Sequence, residues 1–314
     1  MKPIRIGTRG STLALWQAHW VEAELRRHGF VTQIIEIGTS GDHDRGRPIA
    51  GLGVEGVFTK EIQRALLDGE IDLAVHSLKD LPTEKVEGLE FAASPKRGPL
   101  CDAFVSRKAA SLDALPEGSR IGTGSIRRKA QLLHLYGSRF QITDIRGNVE
   151  TRLKKLDAGD YDAVILAEAG LVRLGLQERV TSLLDLPFFL PAIGQGALGI
   201  EVRSENMKTL RPALDCLNDL PTYVAVTAER SLLRSLHGGC LAPVAAICVV
   251  ELSSVALMTL LARVLSPDGS RRLEKQGTMV HFSQETDRII ETAVQLGSRV
   301  ADELFAAGAG KLLR

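Results

Sequence analysis

Three kinds of stretch in this chain carry residues suited to chemistry. His76-Ser77-Leu78-Lys79-Asp80-Leu81-Pro82 places a cation beside a carboxylate directly after Ile71 to Val75, an apolar run that reads as a buried strand. A carboxylate set among arginines can stabilise a transient cation or move a proton; a purely structural Lys-Asp pair is the competing reading. Gly238-Gly239-Cys240-Leu241-Ala242-Pro243 holds a cysteine between glycines and a proline, so that Cys240 can be presented to a ligand. Its neighbour His237 is too close in sequence to serve as the base that thiol hydrolysis needs. The third kind is rich in arginine: Arg9 with Ser11, Ser125 with Arg127 and Arg128, Arg146 and Arg152 after the strand-like Phe140 to Ile145, and Arg173 after the strand around Val164. Singly, each is an ordinary surface charge. Together, at strand ends and helix starts, these planar forks point to a substrate bearing several carboxylates or phosphates.

Such residues need a frame that gathers strand ends, and the chain repeats one. Arg5-Ile6-Gly7-Thr8 recurs as Arg120-Ile121-Gly122-Thr123, and each copy is followed within three residues by a serine and a helical pattern. Leu13, Trp16 and Trp20 mark the first helix up to Gly29; Ile126, Ala130 and Leu133 mark the second up to Gly137. Gly69-Glu70-Ile71-Asp72 and Gly159-Asp160-Tyr161-Asp162 each close a helical run and open a buried strand. Three elements in the same order twice predict two α/β lobes around a cleft, with ligand turns at the carboxyl ends of the strands.

Beyond Pro187, a segment with Pro191, Gly194, Gly196 and Gly199 suits a crossing between lobes around a strand from Ala197 to Val202. Leu241 to Ala262 is apolar enough to raise the question of a bilayer span, which needs ~20 residues. Glu251 near its centre would cost about 3 kcal/mol there, and Glu251-Leu252-Ser253-Ser254 reads instead as the turn of a buried hairpin. The Pro267-Asp268-Gly269 turn and an amphipathic helix from about Glu285 to Phe305 complete a small α+β domain.

Composition narrows the partners. The 39 Lys and Arg nearly cancel the 38 Asp and Glu, which removes the broad basic field of a nucleic-acid binder. Cys101, Cys216, Cys240 and Cys248 form neither a C-x-x-C pair nor a metal-ligand pattern, so free thiols in a reducing, cytoplasmic setting are expected, with Cys216 and Cys248 as small buried hydrophobes. The amino terminus lacks a secretory pattern, and neither a phosphate-loop nor a dinucleotide glycine motif occurs at a strand-to-helix turn.

Five motifs in order, V-H-S-L-K-D-L-P at 75–82, G-T-G-S-I-R-R at 122–128, R-G-N-V-E-T-R-L at 146–153, G-Q-G-A-L-G-I-E at 194–201 and L-H-G-G-C-L-A-P at 236–243, resemble the porphobilinogen deaminase family. The resemblance implies an α/β protein of three domains: two lobes like those of periplasmic binding proteins with a cleft, and a smaller C-terminal α+β domain carrying the cysteine loop. The expected boundaries are 1–96 with 198–215, 99–193, and 219–314. It implies a dipyrromethane cofactor joined to Cys240 by a thioether, with Lys79, Asp80, Thr123, Ser125, Arg127 and Arg128 around it. Arg9, Ser11, Gln17, Arg146, Arg152, Arg173 and Gln195 would receive porphobilinogen and the growing chain, and Asp80 would stabilise the azafulvene-like cation left when ammonia departs. Four substrates would be joined head to tail and hydroxymethylbilane released by hydrolysis, by a monomer needing no metal, nucleic acid or membrane. Four positions depart from the family pattern: Gly51 and Glu55 stand in a loop that often carries lysines, leaving Lys60 as the nearby cation, Cys101 stands where arginine is common, and Gly124 where serine is frequent. Two other readings compete: a two-lobed binding protein for a small organic anion, which leaves Cys240 unexplained, and a thiol hydrolase.

Overall fold

The computed structural model describes residues 2–38, 59–237, 242–282 and 285–313. The chain divides into two compact units, Met1–Gly98 with Gly196–Tyr223, and Pro99–Gln195 with Val224–Arg314.

The first unit is built on a five-stranded sheet in the order β2-β1-β3-β10-β4. Its strands are β1 (Ile4–Thr8), β2 (Thr32–Glu36), β3 (Leu73–Ser77), β4 (Leu89–Ala93) and β10 (Leu198–Arg203). β1 runs parallel to β2 and β3, whereas β10 is antiparallel to both β3 and β4. The second unit holds a five-stranded sheet in the order β7-β6-β8-β5-β9, made of β5 (Asp102–Ser106), β6 (Arg120–Gly122), β7 (Gln141–Thr143), β8 (Ala163–Ala167) and β9 (Ser182–Leu184). Here too the first strand of the repeat lies parallel to its two neighbours, and an antiparallel strand from elsewhere in the chain follows.

The repeat read from the sequence extends to individual hydrogen bonds. In the first unit the Arg5 amide donates to Asp72 Oδ2 at 2.9 Å and the Asp72 amide donates to the Arg5 carbonyl at 2.9 Å. In the second, Arg120 and Asp162 make the same exchange at 2.7 and 2.9 Å. Each glycine of the repeat admits the residue before that aspartate: a Cβ on Gly7 would lie 2.2 Å from Ile71 Cδ1, and one on Gly122 2.8 Å from Tyr161 Cδ1. The helices that follow, α1 (Thr12–Arg27) and, after α2 (Lys60–Leu67), α3 (Ile126–Tyr136), are capped by Ser11 and Ser125, whose hydroxyls accept from the Ala14 and Arg128 amides.

The helix faces differ from the apolar spacing. α1 buries Gln17, Ala18, Val21 and Leu25 and leaves Trp16 38% exposed. α3 buries Arg127, Arg128 and Gln131 beside Ala130 and Leu132. Cys248 is buried as expected, but Cys216 is only half-buried and donates its thiol to the Pro212 carbonyl.

The rest of the second unit is a three-stranded antiparallel sheet, β11 (Val244–Leu252), β12 (Ala256–Leu265) and β13 (Arg272–His281). The apolar run is thus a hairpin, with the turn later than expected: Glu251 and Leu252 still pair with Leu257 and Ala256, and the Ser253 amide closes on the Val255 carbonyl. No helix among the described residues is long and apolar enough to cross a membrane. After α4 (Val149–Asp157), α5 (Glu168–Arg173), α6 (Met207–Leu217) and α7 (Leu220–Ser235), the last helix, α8 (Thr286–Ala306), lies on β12 and β13.

Gly297 of α8 meets the backbone of α7, where an added Cβ would sit 2.4 Å from the Ala228 carbonyl oxygen and 2.7 Å from the Leu232 nitrogen. Gly297→Ala should therefore lower the thermal midpoint: overpacking against backbone costs about 1–3 kcal/mol, more than the ~1 kcal/mol that alanine adds in helix propensity. A raised midpoint in a thermal melt would show that the helices separate freely.

Candidate active site

In the first unit, β3 runs straight into a 3-10 turn, Leu78–Asp80. Leu78 and Leu81, 1% and 4% exposed, anchor the turn on either side. The Leu78 amide donates to the Ala197 carbonyl at 3.1 Å, and Gly199 on β10 makes room, since a Cβ there would lie 2.9 Å from Leu78 Cδ1. Two motifs far apart in sequence thus depend on each other: the glycine of one admits the leucine of the other. With both leucines buried, Lys79 is half-buried and the Asp80 carboxylate is exposed. Beneath them, Gln17 donates from Nε2 to Ser77 Oγ at 2.7 Å, and His76 Nε2 lies 3.3 Å from Glu201 Oε2. Arg9 and Ser11 stand at the turn between β1 and α1, where Ser11 serves as the helix cap.

In the second unit, Arg127 and Arg128 occupy the first turn of α3 and converge on one carboxylate, Asp102, at the start of β5. Arg127 Nη2 donates to Asp102 Oδ2 at 2.7 Å; Arg128 donates to Oδ1 from Nε at 3.0 Å and from Nη2 at 2.7 Å. Gln195, fully buried, adds a donation from Nε2 to the same Oδ1 at 3.1 Å. Burial alone would raise the Asp102 carboxyl, but Arg127 and Arg128 outweigh it and hold it at about 2. At Arg127 the same burial dominates and lowers the guanidinium against the pull of Asp102. Two cations share one anion, so the cluster is net positive where the helix start already favours negative charge. Arg127 Nε, buried, has no hydrogen-bond partner among the described residues. Thr123 is buried at the β6 end, and its hydroxyl accepts from the Ser125 amide at 3.3 Å.

Arg146 donates from Nε to Asp144 at 2.7 Å, and Arg152 from Nε to the Gly147 carbonyl at 2.9 Å. Asn148 between them caps α4 by accepting from the Thr151 amide at 2.8 Å. Arg173 ends α5, and desolvation brings its guanidinium down to about 10. Cys240, with Gly238, Gly239 and Leu241, and the loop from Gly51 to Phe58 lie outside the described residues. Gly124 has limited room, since a Cβ would lie 3.0 Å from Asp144 Oδ1. Burial and the neighbouring Glu168, Asp102 and Asp185 push the Cys101 thiol up.

Residues 4–211 match the family model described as porphobilinogen deaminase, dipyromethane cofactor binding domain, and residues 223–306 match the porphobilinogen deaminase C-terminal domain. The chain belongs to the porphobilinogen deaminase family. It is 47% identical to the porphobilinogen deaminase of Trichlorobacter lovleyi over 314 residues, 99% of this chain and 96% of that protein. It is 46% identical to that of Acidithiobacillus ferrooxidans over 312 residues, 99% of this chain and 97% of the relative. The family's cofactor is a carboxylate-bearing dipyrromethane, and the donor set around Asp102 fits such a group: surplus positive charge, an unpartnered Nε and a helix start.

The groups that hold this set together lie outside the residues the sequence motifs single out. Asp102 opens the apolar strand β5 and belongs to none of the five motifs; only its contact with Arg127 and Arg128 marks it as their counter-ion. Glu229, fully buried on α7, accepts from the Gly194 amide at 2.8 Å and the Cys248 amide at 3.0 Å, tying the glycine-rich segment to β11. With Arg230 beside it, Glu229 reads in the sequence as an ordinary helix-surface charge, and only the fold buries it.

Proposed function

We propose that this protein condenses four porphobilinogen molecules head to tail on a dipyrromethane primer held by Cys240 and then releases hydroxymethylbilane by hydrolysis, as a cytoplasmic monomer. The observation that carries the reading is the Arg127–Asp102–Arg128 cluster within the stretch matched by the cofactor-binding family model. Two buried guanidinium groups with one carboxylate between them are matched to a ligand that brings its own carboxylates.

The dipyrromethane supplies the nucleophilic ring carbon from which the product grows. Arg127, Arg128, Ser125, Thr123 and Lys79 hold its acetate and propionate groups. Arg9, Ser11, Gln17, Arg146, Arg152, Arg173 and Gln195 receive the carboxylates of the substrate and of the lengthening product. At Asp80 the carbon–nitrogen bond of the substrate's aminomethyl group breaks, its electron pair leaving with ammonia, and the carboxylate opposes the cation that spreads over the pyrrole. A carbon–carbon bond would then join the methylene carbon left behind to the nucleophilic ring carbon, which would give up its proton. An exposed carboxylate on this turn suits the role, because its position is set by the buried Leu78 and Leu81.

Intact-protein mass measurement tests the reading. Purified active protein should carry the mass of a dipyrrole, and Cys240→Ser should carry none and make no product. An unmodified chain from an active preparation would refute the proposal; an unmodified chain that makes no product would favour an organic-anion binding protein.

A further inference from the structure

The three-stranded sheet of the second unit reaches the arginine-bearing helix through the β12–β13 hairpin. At the hairpin turn, Gly269 lies so close to α3 that a Cβ would sit 2.6 Å from the His134 nitrogen, and His134 Nδ1 is 2.9 Å from the Gly269 carbonyl oxygen. Near the carboxyl end of β12, Arg263 is only 4% exposed. Its Nη1 donates to the Phe188 carbonyl at 2.7 Å and to Gln131 Oε1 at 3.1 Å, its Nη2 donates to the Pro187 carbonyl at 2.8 Å, and its Nε donates to Glu274 at 2.7 Å.

Gln131 passes this arrangement on. It accepts from the Leu190 amide at 2.9 Å and donates from Nε2 to the Leu190 carbonyl at 3.0 Å. That same carbonyl accepts from Arg127 Nη1, while Arg127 Nη2 is on Asp102. A continuous line of hydrogen bonds therefore runs from Glu274 through Arg263, Gln131 and Leu190 to Arg127. Every polar group in its middle is buried, where a bond that is lost is not replaced by water.

We propose that Arg263 is a positioning residue for the Arg127–Arg128 pair: by holding Gln131 and the 187–190 backbone together it sets the Arg127 guanidinium for the cofactor's carboxylates. In sequence, the sheet that contributes Arg263 begins at Val244, shortly after Cys240. The inference rests on the reading that Arg127 binds the cofactor.

The test compares Arg263→Met, Arg263→Lys, Gln131→Leu and Arg127→Leu in the full chain. Cofactor-free protein is incubated with porphobilinogen, the rate of adduct appearance is followed by intact mass, and each variant is also melted. Arg263→Met should slow loading by about tenfold, the low end of what losing an outer-shell partner costs a bound ion. Arg263→Lys should recover the thermal midpoint through Glu274 but not the loading rate, because one ammonium cannot bridge two carbonyls and an amide. Combining Arg263→Met with Gln131→Leu should slow loading no further than either alone. Normal loading in both Arg263 variants, with Arg127→Leu impaired, overturns this proposal and leaves the cofactor reading intact. Normal loading in Arg127→Leu overturns the cofactor reading and this proposal with it.

Discussion

Asp80→Asn should leave the fold and the cofactor adduct in place while turnover falls by roughly 100- to 1000-fold, the loss seen when one group aimed at developing charge is removed. The asparagine has the same shape, and the carboxylate is exposed while Leu78 and Leu81 anchor the turn. The change in stability should stay within about 0.5 kcal/mol, as for surface substitutions. What is lost is the negative charge that meets the pyrrole cation as ammonia leaves. Steady-state product formation, beside intact mass and a melt, separates these effects. A fall of less than about tenfold, or 1.4 kcal/mol of barrier, would remove Asp80 from the catalytic role.

Asp102→Asn should be the most damaging single substitution for stability. It is isosteric, yet it leaves Arg127 and Arg128 buried against each other with no anion between them, and breaking a buried pair in this way costs about 3–5 kcal/mol. Urea unfolding of cofactor-free protein measures it; a change below about 1 kcal/mol, the ordinary cost of a point substitution, would show that water compensates the arginines. The acid dependence carries the same signature. The folded Asp102 carboxyl is held at about 2, below the ~3.9 of an unfolded chain, so its contribution is complete above ~3.9 and is lost as pH falls through the folded value. Between about pH 5 and 2 the wild-type chain should therefore lose more stability than Asp102→Asn does. Parallel acid profiles would contradict the assignment.

The sequence by itself determined more than composition suggested. The twin Arg-Ile-Gly-Thr strands, the serines that cap the following helices, and the Gly-x-x-Asp strand openings were all readable, because each obeys a local rule of backbone capping or strand burial. The same local rules located the turn at Lys79 and Asp80 and the hairpin after Pro243, with the turn a little early because Glu251 looks like a turn residue yet can face water from an exposed strand position. Only the tertiary structure decided where the charges go. The apolar spacing on α3 names only Ile126, Ala130 and Leu133; that Arg127 and Arg128 are buried on Asp102, from a strand 25 residues earlier, and Gln131 on Leu190 is decided by the tertiary structure. Arg263 reaches Gln131 from 132 residues away, and Gly199 makes room for Leu78 from a different strand. Burying a charge is favourable only where a partner meets it, and the partner's address is set by sheet order and strand crossing, which no local pattern encodes.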